Sequence, residues 1–384
     1  MKKRLLITAS TFPRWENDTE PRFILDYAKA MQTYYDVTVL VPSEPKAVAH
    51  EVLEGVKVIR YRYFPIKSWE TLCYPGAIVP RIREKKVRGF LVPFLFLGLY
   101  IKLAKVHKQY DIIHAHWLIP QGIVNSFFTT PYIITGHGGD VTSLNKGFFR
   151  ILKKRCLKNA TYITAVSKPL EDVLQEIYLN NKTSIIPMGC NIKLFSREYK
   201  VSGYFSQGNK KVVLFVGRLV EKKGVTYLIE AMKYIDAKLV IVGKGPLENE
   251  LKQQAKELGD RVLFLGDKTH EELKVIYASA DIFAAPSVTA KDGDKEGFGL
   301  VLLEAMASGL PVVSCKSGGI MDLITDGVDG LLVEEKDVMA IRGNIQSLIQ
   351  DEALRRRLSE QALIKASHFD YSEIARRYSE IMER

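Results

Sequence analysis

Short apolar runs recur along the whole chain and are separated by longer stretches of mixed polarity. Seven runs in the first 200 residues predict strands, at 3–9, 36–41, 56–61, 111–114, 132–135, 162–166 and 183–186. Five more follow a polar segment at 202–209, and they cover 212–216, 238–242, 262–265, 282–285 and 311–314. Apolar strands that alternate with helices indicate parallel sheets covered on both faces. The pattern predicts an α/β chain with two doubly wound sheets.

The length supports this division, because 384 residues exceed one ordinary domain. We predict a first domain over residues 1–200 and a second over 201–367. Residues 368–384 carry apolar positions at helical spacing and predict an amphipathic final helix. In open parallel sheets, ligands bind at the carboxyl ends of the strands, so we expect the site in a cleft between the two domains.

Polar or glycine-rich residues follow five of the predicted strands, and these are the positions where such a site would lie. They occupy 12–18, 114–117, 136–140, 217–224 and 243–246. A single glycine turn of this kind carries little information. Five of them at strand ends that face one cleft are difficult to explain as folding requirements alone.

The stretch from Glu296 to Glu304 contains the strongest chemical signal. Helix formers run from Leu300 to Ala307, so Glu296 lies in the loop before a predicted helix and Glu304 lies inside it. Gly297 and Gly299 leave the backbone bare where the first N–H groups of a helix lack partners, which suits a diphosphate. Two carboxylates beside a diphosphate should face hydroxyl groups, and a sugar nucleotide offers both. The alternative is a buried amphipathic helix preceded by a solvated acidic loop.

Charge is distributed unevenly between the two halves. Residues 1–200 contain 30 Lys and Arg against 16 Asp and Glu, a net charge of +14, and the remaining residues have a net charge of −3. The first half should therefore meet an anionic surface, either a membrane or a phosphorylated acceptor. No nucleic-acid-binding motif is recognisable, so nucleic acid is not an expected partner. The four cysteines are scattered without metal-ligand spacing, which is typical of a reducing cytoplasm.

Taken together, these motifs resemble those of the retaining glycosyltransferases of family four, which have the GT-B fold of two facing Rossmann-like domains. The resemblance is dense over 212–335 and thinner in the first half. It rests on Gly217-Arg218-Leu219 with Lys223-Gly224, Gly243-Lys244-Gly245-Pro246, Glu296 to Glu304, Gly309-Leu310-Pro311, His114-Ala115-His116-Trp117 and His137-Gly138-Gly139-Asp140. In this fold the last helix commonly crosses back onto the N-terminal domain, and we expect residues 368–384 to do so.

The resemblance implies roles for individual residues of the second half. Glu296 would contact hydroxyls of the donor sugar and Glu304 the ribose, while Arg218 and Lys223 would bind the diphosphate. Backbone near Gly245 and Val262 would border the base. The expected donor site comprises Arg218, Lys223, Gly245, Val262, Glu296, Gly297, Phe298, Gly299, Leu300 and Glu304. The nucleotide sugar is a substrate, and no cofactor is expected.

In the first half, the resemblance implies that His137 approaches the reacting carbon of the sugar. The expected catalytic set is thus His137, Glu296, Arg218 and Lys223, and the expected acceptor contacts are Arg14, His116 and Asp140. His114 and His116 alternate at a strand end, so we expect one imidazole to face the cleft, and we choose His116. The family often has a Gly-Gly turn after the first strand, where this chain has Trp15-Glu16-Asn17-Asp18. Asn17 can adopt the left-handed conformation that such a turn requires.

Two stretches have competing interpretations. Asp292-Gly293-Asp294 imitates a metal-binding motif of other glycosyltransferases, but its loop is charged and the fold neutralises phosphates with cations, so no metal is expected. Residues 81–105 combine a basic flank with thirteen apolar residues, too few to span a bilayer of about 30 Å. This segment is either a helix in the membrane interface beside anionic lipid or a core helix of the first domain.

The sequence predicts a retaining, metal-independent hexosyltransferase that uses a UDP- or GDP-sugar. The expected acceptor is a saccharide, on a lipid if the membrane interpretation holds, in polysaccharide or glycolipid biosynthesis. The expected location is cytoplasmic, on the inner face of the membrane in that case. Two alternatives stay open. An epimerase of the same fold would consume donor without acceptor, and a non-catalytic sugar-nucleotide-binding protein would release no nucleoside diphosphate.

Overall fold

The computed structural model describes residues 2–205 and 210–383, and these form two compact units. The first unit contains the chain up to Met188 together with the final helix from Tyr371, and the second runs from Gly189 to Asp370. The chain therefore divides after Met188, whereas we predicted a division near residue 200 from the sequence. Part of the polar segment at 202–209, residues 206–209, lies outside the described residues.

The first unit is built on an eight-stranded sheet with the order β3-β4-β2-β1-β5-β6-β7-β8. The strands are β1 Arg4–Thr8, β2 Asp36–Pro42, β3 His50–Leu53, β4 Val56–Tyr61, β5 Ile112–His116, β6 Tyr132–Gly136, β7 Tyr162–Ala165 and β8 Thr183–Ile185. Neighbouring strands are parallel except at one edge, where β3 pairs antiparallel with β4. The parallel strands are those predicted, and β3 was not predicted.

Helices flank this sheet in the first unit. They are α1 Phe23–Met31, α2 Ile78–Glu84, α3 Val92–Val106, α4 Ile123–Asn125, α5 Gly139–Thr142, α6 Gly147–Asn159, α7 Lys168–Ile177 and, from the end of the chain, α15 Tyr371–Met382. The helix α15 packs on α1. Its Tyr378 is fully buried, and the hydroxyl lies 3.1 Å from Thr135 Oγ1 and 3.2 Å from Thr164 Oγ1. The prediction that the last helix returns to the N-terminal domain is confirmed.

The apolar segment of the first unit is longer as a helix than its sequence indicates. Helical structure continues from Lys86 to Gln109, 24 residues, because the turns extend into the basic residues on both sides. By length and composition alone this segment could cross a membrane, although core helices of soluble proteins pass the same test. The helix is therefore longer than the thirteen-residue apolar run on which the sequence expectation was based.

The second unit contains a six-stranded parallel sheet with the order β11-β10-β9-β12-β13-β14. Its strands are β9 Val212–Val216, β10 Lys238–Val242, β11 Val262–Gly266, β12 Ile282–Ala285, β13 Val312–Cys315 and β14 Leu331–Val333. Its helices are α8 Val225–Met232, α9 Glu248–Gln254, α10 His270–Ser279, α11 Leu300–Ala307, α12 Ile320–Leu323, α13 Val338–Gln350 and α14 Glu352–Ser367. The five predicted strands are present, and β14 adds a short edge.

The segment just after Met188 belongs to the second unit because its polar groups bond there. The N–H of Cys190 donates to the carbonyl of Phe369 over 2.8 Å. The guanidinium of Arg197 donates to the carbonyl of Gly309 over 3.3 Å and to the hydroxyl of Ser359 over 2.5 Å. These contacts place residues 189–199 with the following sheet rather than with the preceding one.

Candidate active site

The predicted helix after Glu296 forms with the expected bounds. Helix α11 covers Leu300–Ala307 and begins at Gly299, whose φ of 97° is left-handed and favours glycine. Glu296 lies in the preceding loop and Glu304 in the second turn, as expected. Within α11, the N–H groups of Leu302 and Leu303 donate to the carbonyl of Gly299. The N–H groups before them point out of the start of the helix, where donors can bind an anion.

Lys223 and Glu296 form an ion pair in front of this helix. The ammonium group of Lys223 donates to Oε2 of Glu296, and the two side chains are only 12% and 14% exposed. Burial raises the pKa of Glu296, but the neighbouring cations Lys223 and Lys222 outweigh it, so that the pKa lies below its usual 4.5. The carboxylate is therefore charged at neutral pH.

Close backbone contacts bring the strand ends of the second unit together. A Cβ atom on Gly243 would lie 2.1 Å from the carbonyl oxygen of Gly217, and one on Gly245 would lie 2.3 Å from that of Leu219. Neither approach leaves room for a side chain. In addition, Lys223 Cε would lie 3.7 Å from a Cβ on Gly217, so its stem passes the turn that carries Arg218. The glycines Gly243 and Gly245 of the predicted motif therefore allow the turn after β10 to contact the backbone of the turn after β9.

The other predicted donor residues do not all lie at this sheet edge. Arg218 follows β9 and is exposed, whereas the half-buried Val262 begins β11. Val262 therefore lies at the amino end of a parallel strand, and the expectation that it borders the base at the carboxyl ends is wrong. Phe298 is buried, with its ring centroid 5.6 Å from that of Phe369, so only its backbone is available to a ligand. Gly318 also lies against this loop, since a Cβ there would lie 2.2 Å from the carbonyl oxygen of Glu296.

Tyr277 is a neighbour of Glu304 that the sequence did not reveal. Its hydroxyl donates to Oε2 of Glu304 over 2.9 Å and to the carbonyl of Val301 over 3.3 Å, and its side chain is fully buried. Burial raises its pKa well above 10, so the hydroxyl keeps its proton. Its only sequence signal was a tyrosine near the end of an amphipathic helix, α10, which is typical of core packing.

The Asp292-Gly293-Asp294 loop bonds internally and to a lysine. Asp292 accepts from the N–H of Asp294 over 3.1 Å, and Asp294 pairs with Lys222 at 3.0 Å. In residues 2–205 and 210–383, no group of three His, Cys, Asp or Glu side chains is arranged to hold a metal ion.

In the first unit, His137 follows β6 and lies among aromatic rings. Its ring centroid is 4.7 Å from that of Trp117, 5.2 Å from that of His116 and 5.7 Å from that of Phe23. Burial lowers its pKa to about 3, so the imidazole is neutral at pH 7. Asp140 accepts the backbone N–H groups of His137, Gly138 and Leu118 and thereby holds this turn.

The two histidines at the end of β5 share one face of the sheet, and both are fully buried. Their ring centroids lie 4.1 Å apart. We expected one imidazole to face the cleft and the other to pack in the core. This expectation is wrong, because residues two apart in a strand point to the same side of the sheet, and here both rings are packed in the core. His114 bonds to Tyr27 and Thr135, and His116 Nδ1 lies 3.0 Å from His137 Nε2. Because His116 is fully buried and bonds to His137, the expectation that it contacts the acceptor directly is wrong.

Arg14 is held by its own turn. Its guanidinium donates to both carboxylate oxygens of Asp18 over 2.7 and 2.8 Å, and it lies 4.4 Å from the ring centroid of Trp15. Asn17 has a φ of 59°, the left-handed conformation expected for the residue that replaces the glycine turn.

The sequence matches two family models, one for each half of the chain. Residues 21–194 match the model described as "Glycosyltransferase Family 4", and residues 197–364 match "Glycosyl transferases group 1".

Similar proteins cover most of this chain. An uncharacterised glycosyltransferase from Methanocaldococcus jannaschii is 32% identical over 307 residues, 73% of this chain and 77% of its own. A D-inositol 3-phosphate glycosyltransferase from Corynebacterium diphtheriae is 29% identical over 325 residues, 74% of each chain.

Solved structures with the same fold extend over nearly the whole chain. Sucrose-phosphate synthase from Thermosynechococcus elongatus has a TM-score of 0.79 at 24% identity and covers 100% of this chain and 98% of its own. HepE from Anabaena in complex with UDP-glucose has a TM-score of 0.74 at 22% identity and covers 99% of each chain. At these identities the likeness shows the fold, which is GT-B. Together with the sequence matches, it shows that the chain belongs to glycosyltransferase family 4, a retaining family, and that it is an enzyme that transfers a sugar from a nucleotide sugar.

Proposed function

We propose that this enzyme transfers a hexose from a UDP- or GDP-sugar to a lipid-linked saccharide in polysaccharide or glycolipid biosynthesis. The observation that carries the donor half of the proposal is the Lys223–Glu296 ion pair, which lies beside the glycine turn at Gly217 and before α11. It combines a cation for phosphate with a carboxylate for sugar hydroxyls. UDP is the first donor to test, because HepE was solved with UDP-glucose.

In this proposal each donor residue has one task. Arg218, Lys223 and the N–H groups at the start of α11 bind the diphosphate. Lys223 can serve the phosphate and Glu296 at once, because an ammonium group has three donors. Glu296 accepts hydroxyls of the transferred sugar, and Glu304, held by Tyr277, accepts those of the ribose.

The reaction proceeds on one face of the sugar. The bond between the anomeric carbon and the diphosphate oxygen breaks while the acceptor oxygen bonds to the same face, and the acceptor proton moves to the departing phosphate oxygen. Negative charge grows on the diphosphate as this bond breaks. Fixed cations and helix N–H groups therefore stabilise the transition state more than the ground state. His137 contacts the sugar near its reacting carbon as a neutral hydrogen-bonding group.

The acceptor half rests on the surface of α3 in the first unit. One side of this helix packs inward through Leu95, Leu99 and Leu103, which are at most 1% exposed. The opposite side exposes Leu97 and Ile101 at 53% and 46%. We call the apolar residues Phe90, Leu97, Tyr100, Ile101 and Phe127, all 44–57% exposed, the α3 surface.

Charge around the α3 surface suits an anionic lipid headgroup. Residues 85–110 contain six Lys and Arg and neither Asp nor Glu. Arg155 lies 4.7 Å from the ring centroid of Phe127 and adds a further cation. Exposed aromatic and aliphatic side chains beside cations favour binding in the membrane interface. These features support our proposal of an enzyme at the cytoplasmic face of the membrane, with a polyprenyl-diphosphate-linked saccharide as its acceptor.

Donor binding and turnover test this function together. Ligand that binds only the native state raises the melting temperature, so UDP and its sugar conjugate should do so more than GDP or ADP. Nucleoside diphosphate release should require a polyprenyl-diphosphate-linked saccharide in vesicles and should persist in EDTA. Glu296→Gln should lower kcat at least about 100-fold with the fold intact, as loss of transition-state hydrogen bonding does.

The alternatives give different results in the same assay. Interconversion of nucleotide sugars without acceptor, as in an epimerase, is not expected of a glycosyltransferase. Binding without release across lipid-linked, free-sugar and sugar-phosphate acceptors would exclude these three acceptor classes. Release with sugar phosphate alone would move the acceptor to the class of the D-inositol 3-phosphate relative.

A further inference from the structure

The hydrogen bond between His116 and His137 restricts where each ring carries its proton. Nδ1 of His116 lies 3.0 Å from Nε2 of His137, so one of these two nitrogens donates and the other accepts. Burial lowers the pKa of His116 well below 6.5 and that of His137 to about 3, so both rings are neutral and each carries one proton. Two arrangements are then possible.

The surroundings of His116 distinguish the two arrangements. Its Nε2 atom is buried and has no hydrogen-bond partner in the described part of the chain. If His137 donated, His116 would carry its proton on this nitrogen and bury an N–H group without an acceptor. If His116 donates from Nδ1, only a bare acceptor is buried. In folded proteins an orphaned buried N–H group is rarer than an under-satisfied acceptor.

We infer that His116 is a positioning residue that donates from Nδ1 to Nε2 of His137 and so fixes His137 in the tautomer whose proton is on Nδ1. His137 then presents an N–H donor from its other ring nitrogen. This inference rests on the proposed function, in which His137 contacts an oxygen of the transferred sugar. A donor at this position can bond to a lone pair of that sugar oxygen, whereas the opposite tautomer would present a lone pair of its own.

Packing around the two rings keeps the geometry in place. The ring of His116 packs against those of His114 and Tyr27, at centroid distances of 4.1 and 5.3 Å. His114 is itself fixed, because Nδ1 bonds to Tyr27 at 2.8 Å and Nε2 to Thr135 at 2.7 Å. The backbone N–H of His137 donates to Asp140 over 3.1 Å. Neither imidazole can rotate freely, so the bond between them controls the tautomer.

The tautomer can be measured directly. Two-bond ¹H–¹⁵N correlation spectra of protein labelled at its seven histidines distinguish Nδ1–H from Nε2–H rings, and His137→Asn assigns the signals. We expect the Nδ1–H form at His137 in the free enzyme and an increased share of Nε2–H in His116→Phe, which keeps a ring without a donor. An Nε2–H ring at His137 in the unsubstituted enzyme would overturn the inference, whatever the activity.

Two substitutions of His116, by Asn and by Asp, provide the kinetic test, because these two side chains have nearly the same shape. Asn at position 116 keeps an N–H donor near the place of Nδ1, whereas Asp offers only acceptors. We expect His116→Asp to lower kcat about tenfold more than His116→Asn with little change in the donor KM, a difference of about 1.4 kcal/mol. Equal losses in folded variants would contradict the assignment.

The spectra and kinetics separate this inference from the proposed function. Full turnover by His137→Ala would remove His137 from catalysis but leave the tautomer measurement valid. Conversely, His137→Ala could abolish turnover while the unsubstituted enzyme shows the Nε2–H tautomer at His137. That combination would retain the proposed function and reject the role of His116.

Discussion

The ammonium group of Lys223 donates to Oε2 of Glu296, and both side chains are largely buried. Each group therefore depends on the other. Without the carboxylate, the ammonium group would lose its protein acceptor, and without the ammonium group, a buried carboxylate would be left charged and uncompensated. In the proposed function, the pair holds a cation for the diphosphate next to an anion for the sugar hydroxyls.

Removal of Lys223 should destabilise the protein in a pH-dependent way. Because the pKa of Glu296 is lowered in the folded state, its charged form stabilises the fold above pH 4.5, and this stabilisation is lost as the pH falls through the folded-state value. Lys223→Met should cost about 3 kcal/mol at pH 7, as expected for a broken buried pair. The deficit should shrink as the pH falls, because in the variant burial favours the protonated form of Glu296.

Lys211→Met is the matched control for this measurement. Lys211 pairs with Asp281 at 3.2 Å in the same unit, but both side chains are more exposed, at 34% and 24%. An exposed pair contributes about 0–1 kcal/mol, so this variant should differ little from the parent protein. Thermal unfolding between pH 4 and pH 8 checks both variants, and a pH-independent deficit in Lys223→Met would contradict the role of the pair.

Tyr277→Phe should weaken nucleotide binding. The substitution removes the hydroxyl that donates to Glu304 over 2.9 Å but retains the buried ring. Glu304 then lacks the donor that orients it, so we expect the Kd for UDP to rise about tenfold, which corresponds to about 1.4 kcal/mol. Isothermal titration measures the change.

Tyr234→Phe provides the control for Tyr277→Phe within the same unit. Tyr234 is 61% exposed, and its ring contacts the guanidinium of Arg342. Its substitution should leave the affinity for UDP unchanged. If Tyr277→Phe also binds UDP like the parent protein, then Glu304 either does not need this hydroxyl or does not contact the ribose.

The hydrophobic pattern predicted the elements of the fold better than it predicted their contacts. Strands β9, β10 and β12 and helix α11 match their predicted bounds because each is a continuous apolar run or a run of helix formers between clear breakers. Strand β3 was missed because its four residues lie at an edge, antiparallel to β4, and are only partly buried. In a strand this short and half-exposed, apolar and polar residues do not alternate clearly enough to be recognised.

The partners of the site residues could not be predicted, because they depend on tertiary structure. Tyr277 lies 27 positions before Glu304 and reaches it only because α10 and α11 share one unit. The proximity of strand ends was predictable from the parallel sheet, and His116 and His137 do meet there. Which of the two is buried depends on the rings around them, and the sequence did not specify those rings.

Tyr378 should be important for the stability of the first unit. Its hydroxyl contacts Thr135 and Thr164, and its ring lies 5.2 Å from that of Tyr27. Tyr378→Phe should cost about 1 kcal/mol, the net value of a typical hydrogen bond. Tyr378→Ala should cost about 3–5 kcal/mol, because it also leaves a large cavity. Chemical denaturation followed by circular dichroism checks the order, and equal values for the two variants would exclude a packing role for the ring.

The α3 surface should bind anionic vesicles. We expect the enzyme to sediment with vesicles that contain phosphatidylglycerol and to do so less with phosphatidylcholine alone or in 0.5 M salt, because headgroup attraction is screened. Ile101→Glu should lower the partition coefficient at least about tenfold, since an aliphatic side chain contributes about 1.5–3 kcal/mol when it is buried. Ile364→Glu is the matched control, because Ile364 is 56% exposed but lies in α14 of the other unit. Equal binding by the two variants would assign the exposed side of α3 to another partner.

Ile101→Glu should also slow transfer to vesicle-borne acceptor while leaving the Kd for UDP unchanged, because the residues proposed to bind the nucleotide lie in the second unit.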